Sequence, residues 1–372
     1  MFIDNNIPQG YKQTELGIIP EDWEVKQIRD GLTLLTDFDA NGSFADMAAN
    51  VQTYIGGGYA WYVRATDLEQ QTPLSEVKYV DESSYRFLKK SSLYGGEVLL
   101  AKRGDIGKVY LFEAKTMYAT LAPNLYLLKL NQEIDSTYLY YYLKSNNGQK
   151  ALKDINASTS LGALYKEDVK NLYILYPSPV EQRAIAEALS DIDGLIAALD
   201  KKIAKKRLIK QGAMQQLLTG KKRLPGFTDP WVEKKLGAIS HIKTGSCNGD
   251  QAVENGKYPF FVRSQKVYAI DSYSYDGEAI LVPGEGGIGN IFHYINGKFD
   301  YHQRVYKISD FADDVCGKYI FFYMLRYFGE YALSLSVKAT VDSLRLPTFE
   351  EFVICLPMDI KEQQAIAAIL SD

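Results

Sequence analysis

The glycine-rich run Gly-Glu-Gly-Gly-Ile-Gly at 284–289 has the spacing of a loop that binds a dinucleotide. Such a loop follows a strand and leads into a helix, whose N-terminal N–H groups hold the phosphate. A strand-like run does precede it, at 278–282, but residues 290–295 again have the pattern of a strand. The sequence therefore predicts a tight glycine hairpin, whose exposed N–H groups could still meet a DNA phosphate.

Residues that could carry catalysis show no recognisable spacing. The chain has no Walker loop, no His-Glu-x-x-His, no Gly-x-Ser-x-Gly elbow and no Asn-Pro-Pro-Tyr or Asp-Pro-Pro-Tyr run of the adenine methyltransferases. The cysteines and histidines show no metal-ligand spacing; they are Cys247, Cys316, Cys355, His241, His293 and His302. We therefore expect a protein that is not an enzyme, holds no metal and needs no cofactor.

The bulk composition indicates a folded, cytoplasmic protein. Hydrophobic residues make up 46% of the chain, which is enough to bury proper cores. There is no apolar run of about 18 residues and no signal segment, so we expect no membrane contact. Three cysteines without a Cys-x-x-Cys pair are typical of a reducing compartment. The net charge of −4 excludes a globally basic nucleic-acid binder, so any DNA contact must come from a local patch.

Basic and amide side chains near aromatic residues are the candidates for such a patch. Arg and Lys can bind guanine edges in the major groove, and Asn and Gln can bind adenine edges. The candidates are Tyr62, Arg64, Lys102, Arg103 and Asn124 in the first half, and Arg263, Gln265, Lys266, Gln303 and Arg304 in the second. Taken singly, each also suits a structural or solvated role. The 28 tyrosines likewise suit strands as well as base stacking.

These candidates lie in two halves that repeat one another. Glu-Gln-Arg-Ala-Ile-Ala-Glu-Ala-Leu-Ser-Asp at 181–191 returns as Glu-Gln-Gln-Ala-Ile-Ala-Ala-Ile-Leu-Ser-Asp at 362–372. Further matches join Trp23 to Trp231, residues 61–64 to 260–263, 96–100 to 277–281, and 106–107 to 288–289. A repeat of this length fixes the architecture before local signals are weighed. The chain therefore contains two copies of one domain, at 1–177 and 224–357, whose loops have diverged.

Each copy has the pattern of an α+β domain. In the first, aromatic and β-branched runs predict strands at 59–63, 98–101, 109–112, 125–128 and 172–175. A helical stretch near 136–152 lies among them, without the regular alternation of a parallel α/β fold. The fold class is thus α+β, with two repeated α/β domains.

A long helix is predicted between the copies, at 178–223. Its apolar residues are spaced 4-3-4-3-4, which is the seam of a coiled coil; they are Ile185, Leu189, Ile192, Ile196, Leu199 and Ile203. Lys206 and Lys210 interrupt the seam, and Gly220 and Pro225 end the helix. At 1.5 Å per residue the helix would span about 60 Å. It could pack on its own domain, but its repetition at 358–372 favours a spacer.

A basic run overlaps the end of this helix. Between Lys201 and Arg223 there are nine Lys or Arg residues and no Asp or Glu. The run suits a solvated face, a stripe that faces phosphates, or a docking surface for an acidic partner.

Two segments resemble the specificity subunits of type I restriction–modification systems. Residues 11–25, Tyr-Lys-Gln-Thr-Glu-Leu-Gly-Ile-Ile-Pro-Glu-Asp-Trp-Glu-Val, are similar to the start of such a subunit. Pro-Ser-Pro-Val-Glu-Gln at 177–182, with the helix that follows, is similar to the beginning of the family's central spacer. The order of domain, helix, domain, helix also matches over nearly the whole chain.

The resemblance implies a division of labour. Each target recognition domain would read one half of a bipartite site in double-stranded DNA, and the helices would hold the two apart. Two methyltransferase subunits and two restriction (motor-nuclease) subunits would supply the chemistry, with S-adenosylmethionine, ATP and Mg. The residues that match the family's motifs are mostly scaffold: Trp23, Arg64, Gly104 to Gly107, Glu181, Gln182, Trp231, Arg263, Gly286 to Gly289, Glu362 and Gln363.

One departure bears on self-association. In the family the second helix is as long as the first and pairs with it, whereas here it stops at Asp372. We expect the unpaired seam to favour dimers or aggregates of the isolated chain. Two alternatives stay open: the specificity part of a type II-like methyltransferase–nuclease, and a coiled-coil interaction scaffold without a DNA role.

Overall fold

A computed structural model describes residues 7–104, 106–156, 162–287, 289–335 and 343–371. The chain divides into two compact units, residues 1–198 and 199–372. Within the motifs named above, Asp105, Ile288 and Asp372 lie outside the described residues.

The first unit is a mixture of short strands and helices. In chain order its elements are β1 (Tyr11–Thr14), β2 (Gly17–Pro20), β3 (Glu24–Gln27), β4 (Leu32–Asp37), α1 (Phe44–Asn50), β5 (Thr53–Ile55), β6 (Ala60–Val63), α2 (Ala65–Gln70), β7 (Lys78–Val80), α3 (Glu82–Phe87), β8 (Ser92–Leu93), β9 (Val98–Ala101), β10 (Val109–Leu111), β11 (Ala119–Leu121), β12 (Leu125–Leu130), α4 (Ser136–Lys144), α5 (Asn146–Asp154), α6 (Lys166–Lys170) and β13 (Tyr173–Tyr176).

Two sheets form the body of this unit. One has the order β10-β9-β12-β4 and the other β5-β7-β6-β11-β8, while β13 pairs with β3. Strand β9 reads Val-Leu-Leu-Ala and is buried on both faces, so its continuous apolar run contributes to two hydrophobic clusters. The sequence predicted β6, β9, β10, β12 and β13 to within one or two residues.

The predicted helix near 136–152 is two helices, α4 and α5. Ser145, between them, has extended backbone angles. Its hydroxyl accepts a hydrogen bond from the N–H of Gly148 at 3.2 Å and donates one to the carbonyl of Tyr142 at 2.7 Å. Ser145 thus caps the start of α5 and competes with continuation of α4. Because the break depends on this one hydroxyl, the apolar periodicity of the sequence does not show it.

A single helix, α7 (Pro179–Leu217), carries the chain from the first unit into the second and has 39 residues. It begins one residue and ends six residues inside the predicted 178–223. Among the described residues, no helix is both long and apolar enough to cross a membrane.

The second unit is built on one larger sheet. Its elements are β14 (Trp231–Lys235), α8 (Leu236–Ile239), β15 (His241–Thr244), β16 (Tyr258–Phe261), β17 (Val267–Ile270), β18 (Tyr275–Pro283), β19 (His293–Tyr301), β20 (Val305–Ser309), α9 (Gly317–Leu335), α10 (Leu346–Glu350), β21 (Val353–Pro357) and α11 (Ile360–Ser371). The strand order is β15-β20-β18-β19-β16-β17, and β14 pairs with β21. Helices α9 and α11, with the end of α7, pack on this sheet in one hydrophobic core.

The strand after the glycine run starts at His293, three residues later than the pattern of 290–295 predicted. Gly286, Gly287 and Gly289 all have positive φ, and the N–H of Asn290 bonds to the carbonyl of Gly287 in a turn. The hairpin is confirmed, since β18 and β19 pair antiparallel across the run. The predicted tight turn is wrong, because residues 284–292 lie between the two strands. The strand begins only where the left-handed turns end.

Strand pairing confirms that the two units repeat one design. Strand β6 pairs parallel with β11 and antiparallel with β7, as β16 pairs with β19 and β17. Likewise β9 lies between β10 and β12, as β18 lies between β19 and β20. The repeat read from the sequence therefore extends to the sheets, where few residues are identical.

Backbone hydrogen bonds set the register of the repeat and correct one sequence match. The N–H of Ala122 bonds to the carbonyl of Val63, and the N–H of His302 bonds to that of Phe261. Val63 is therefore equivalent to Phe261. The predicted match of 61–64 with 260–263 instead aligned Val63 with Val262, so it is wrong by one residue. The chain leaves the two strands differently, because β6 runs into α2 whereas β16 turns back into β17.

Candidate nucleic-acid interface

In the second unit, three charged side chains meet at the ends of strands. Arg263 follows β16, Glu285 lies in the glycine loop after β18, and Arg304 precedes β20. One Glu285 oxygen lies 3.3 Å from Nη1 of Arg263, and the other lies 3.1 Å from Nη1 of Arg304. Both arginine side chains remain more than half exposed, at 52% and 59%. We call these three residues the Arg–Glu–Arg cluster.

Two members of the cluster, Arg263 and Glu285, line a cavity of about 430 Å³ with His302 and Tyr268. His302 is buried, and its Nδ1 accepts a hydrogen bond from the N–H of Arg304 at 3.0 Å. Burial lowers the pKa of His302, and the positive charges of Arg263 and Arg304 lower it further. A neutral imidazole is what the observed hydrogen bond requires, so His302 fixes the backbone from which Arg304 extends.

The other predicted residues of this unit lie around the cluster. Gln303 is exposed and its amide donates to Oδ1 of Asn248 at 2.6 Å. Lys266 lies over the ring of Tyr268, 5.0 Å from its centroid, and Gln265 is exposed. The structure thus brings Arg263, Gln303 and Arg304 to one edge, with amide and guanidinium groups facing solvent.

In the first unit, Arg103 and Asn124 occupy the same place in the repeat. The N–H of Lys102 bonds to the carbonyl of Asn124 at 2.9 Å, as the N–H of Gly284 bonds to that of Arg304 at 2.8 Å. Arg103 forms an isolated antiparallel bridge to Ala163, as Glu285 does to Ser343. Arg103 is therefore equivalent to Glu285, and Asn124 to Arg304. Both Arg103 and Asn124 are exposed.

Lys102, a predicted DNA contact, is instead a buried structural residue. Its Nζ lies 2.7 Å from an oxygen of Asp37 and 2.6 Å from one of Asp39. Lys166 binds the second oxygen of Asp37 at 2.7 Å. Burial alone would raise the pKa of Asp37, but the hydrogen bonds from Lys102 and Lys166 hold it below its usual value. Asp37 and Asp39 neutralise the charge of Lys102 inside the unit, so Lys102 is not available to bind a phosphate.

Tyr62 and Arg64 also have structural partners. Tyr62 is buried and its ring packs edge-on against Phe38, with centroids 5.9 Å apart. Its burial raises the pKa of its hydroxyl. Arg64 donates through Nε and Nη2 to both oxygens of Asp67, at 2.8 and 2.5 Å, and that carboxylate is buried. Tyr62 therefore presents little surface to a base, and the Nε and Nη2 donors of Arg64 are already occupied by Asp67.

The sequence reasoning missed Glu285, His302 and Asp67. In the sequence Glu285 lies inside the glycine run, and His302 belongs to a set of cysteines and histidines without metal-ligand spacing. The signal for Glu285 was a lone carboxylate between two glycines, Gly284 and Gly286. Among the described residues, no group of three or more His, Cys, Asp or Glu could hold a metal ion.

The repeated Glu-Gln pair anchors the helices to the units. Gln182 donates to the carbonyls of Pro177 and Glu133 and accepts from the N–H of Asp135. Gln363 does the same with Pro357, Asp314 and Cys316. The first turn of each helix is therefore held to its own unit through an amide with no exposed surface.

The predicted seam of α7 is exposed over most of its length. Ile185 is half-buried and packs against the core of the first unit. The remaining seam residues, Leu189, Ile192, Ile196, Leu199 and Ile203, have between 38% and 55% of their surface exposed. Farther along, Ala213 and Leu217 pack in the core of the second unit.

The chain thus combines two copies of one α+β unit with a long helix, and each copy carries a polar edge. A family model described as "Type I restriction modification DNA specificity domain" matches residues 20–206 and 228–372. The chain belongs to this family.

Individual relatives agree. The type I restriction enzyme MjaIX specificity subunit of Methanocaldococcus jannaschii is 28% identical over 276 residues, which are 67% of this chain and 59% of that subunit. The chain spans about three fifths of the length of the first curated relatives.

Solved structures share the fold. The S subunit of a type I restriction–modification system from M. genitalium has a TM-score of 0.68 at 16% identity, over 100% of this chain and 90% of that one. A structure titled for complex assembly and conformational transition of the type I R-M system has a TM-score of 0.50, also at 16% identity, over 95% and 90%.

Proposed function

We propose that the chain recognises double-stranded DNA for a type I restriction–modification complex, with each unit reading one half of a bipartite site. The observation that carries this proposal is the repeated polar edge. The second unit presents Arg263, Gln303 and Arg304 there, and the first presents Arg103 and Asn124 at equivalent positions. One scaffold that offers different hydrogen-bonding groups at the same place suits two half-sites of different sequence.

The chemistry belongs to partners in this proposal. Two methyltransferase subunits would methylate adenine with S-adenosylmethionine, and two restriction subunits would use ATP and Mg to translocate and cut DNA. The chain itself would need no cofactor and would act in the cytoplasm with the host DNA. Its cysteines are free thiols of intermediate exposure, which fits a reducing compartment.

Helix α7 would set the separation of the half-sites and dock the methyltransferase subunits. Its exposed seam is an apolar stripe that a partner helix would cover. In the absence of partners, the isolated chain should self-associate at micromolar concentration in sedimentation. Ile192→Asp with Ile196→Asp should shift it toward monomer, whereas Ala197→Asp with Ala198→Asp, which lie outside the seam, should not.

The test is to co-express the chain with its cognate methyltransferase subunit and to map adenine methylation across the genome. A single bipartite motif, modified in both halves, supports the proposal and supplies the target. A complex that forms but methylates no defined motif contradicts sequence recognition. Weak, sequence-blind binding with a steep salt dependence would instead favour an interaction scaffold. Methyl transfer by the purified chain alone would contradict a non-catalytic role.

A further inference from the structure

The Arg–Glu–Arg cluster has a composition that a phosphate contact does not explain. Glu285, with 24% of its side chain exposed, places a carboxylate within 3.3 Å of both arginines. A carboxylate there repels phosphate oxygens and cancels half of the positive charge. A surface selected only for backbone binding would be better served by the arginines alone.

Base edges offer a partner that this composition does fit. In the major groove, guanine presents two acceptors, O6 and N7, and its paired cytosine presents the N4 amino donor. A guanidinium fork donates to the first and a carboxylate accepts from the second. We propose that Arg304 and Glu285 read one G·C base pair in the half-site of the second unit, with Arg263 holding Glu285 in place; this rests on the proposed function.

The structure supports the division of roles within the cluster. Arg304 is the more exposed arginine, and its backbone is fixed on both sides, by the carbonyl bond to Gly284 and the N–H bond to His302. A side chain on a fixed backbone loses less freedom when it binds. Arg263 approaches the other oxygen of Glu285, so it can hold that carboxylate when Arg304 turns to a base.

The repeat adds a second consequence. Asn124 stands in the place of Arg304, and its left-handed backbone, with φ of +74°, suits asparagine better than most residues. An amide at this position favours adenine rather than guanine. The two half-sites should therefore differ at the base pair that these equivalent positions reach.

The test measures binding of the chain with its methyltransferase partner to duplexes that carry the mapped motif. One guanine at a time in the half-site is replaced by 7-deazaguanine, which lacks the N7 acceptor. One replacement should weaken wild-type binding, and Arg304→Ala should weaken it by about 5- to 150-fold on the normal duplex. Arg304→Ala on the sensitive 7-deazaguanine duplex should weaken binding little more than either change alone. Glu285→Gln should relax the preference at the same base pair.

Two variants serve as controls. Arg304→Lys keeps the charge without the fork, so it should retain DNA binding and lose part of the guanine preference. Lys235→Ala removes an exposed ion pair with Glu351 outside the cluster and should leave the motif unchanged. Thermal melting of each variant shows whether the second unit stays folded.

The outcomes separate the two proposals. If the wild-type complex recognises no bipartite motif, the proposed function itself fails. If a motif exists but neither half contains a G·C pair that responds to Arg304, only the proposal that Arg304 and Glu285 read a G·C pair fails. If Arg304→Ala weakens binding equally whatever the base pair, Arg304 contacts a phosphate, and that proposal is also overturned.

Discussion

Arg223 and Glu362 form a two-point ion pair in the second unit. Nε and Nη2 of Arg223 donate to the two oxygens of Glu362 at 2.7 and 2.8 Å, and the glutamate side chain has no exposed surface. In the first unit the equivalent Glu181 instead accepts a hydrogen bond from the indole of Trp23 at 3.0 Å. The repeated glutamate thus anchors each helix by a different partner. Glu362 also neutralises the charge of Arg223, the last residue of the basic run at 201–223.

Arg223→Ala should destabilise the second unit, because it leaves the buried carboxylate of Glu362 without its partner. Removing one member of a buried pair costs about 3–5 kcal/mol, and the partial exposure of Arg223 reduces this to about 2 kcal/mol. Lys235→Ala, in an exposed pair, should change the free energy of unfolding by less than about 1 kcal/mol. Denaturant unfolding measures both, and equal effects would contradict a buried anchoring role.

Gln363→Ala should cost about 3 kcal/mol of unfolding free energy, since it leaves two carbonyls and one N–H buried without a partner. Gln182→Ala should do the same in the first unit. Gln70, an exposed residue of α2, is the matched control, and its alanine variant should change the stability by less than about 0.5 kcal/mol. Hydrogen exchange at the N–H of Cys316 and Asp135 reports each loss locally, and unchanged protection there would contradict the anchoring.

The repeat was readable from the sequence because its clearest copy lies on helices, where Glu-Gln and the apolar spacing both recur. The strands of the first unit were readable for a similar reason: β9 is a continuous apolar run, and β12 begins with one at 125–128. The caps that divide such elements depend on single hydroxyls, as at Ser145, and their effect is weaker than the periodicity around them.

The site was less predictable because the contacts that define it join residues that are far apart in the chain. Lys102 looked like a surface cation, but Asp37 is 65 positions away in the chain. The two become neighbours only after β4 and β9 have both paired with β12. Arg263 and Arg304 were predicted from residue type and from the aromatic residues near them in the chain, Phe261 and Tyr301. Their connection through Glu285 depends on the path of the glycine loop, which sequence spacing does not define.

Gly289→Ala should disrupt the glycine loop. Gly289 has φ of +70°, and an added Cβ would lie 2.5 Å from Cα of Gly329 on helix α9. Gly286 has the same φ but nothing within 4 Å of a Cβ, so Gly286→Ala isolates the backbone strain, about 1 kcal/mol. Gly289→Ala should lower the melting temperature more than Gly286→Ala does. Similar losses would show that the close approach of the two glycines is unimportant.

The pKa of His302 should lie below 6.5 and should respond to the charges of the Arg–Glu–Arg cluster. Arg263→Gln should raise the pKa of His302, because it removes a positive charge, and Glu285→Gln should lower it further. The unfolded state binds the proton more readily, so the stability that neutral His302 contributes is present above about pH 6.5 and is lost as the pH falls below it. Imidazole NMR titration of the wild type and both variants, with Lys235→Ala as the control, measures this. Movement of the two charge variants in the same direction would contradict the electrostatic coupling of His302 to the arginines.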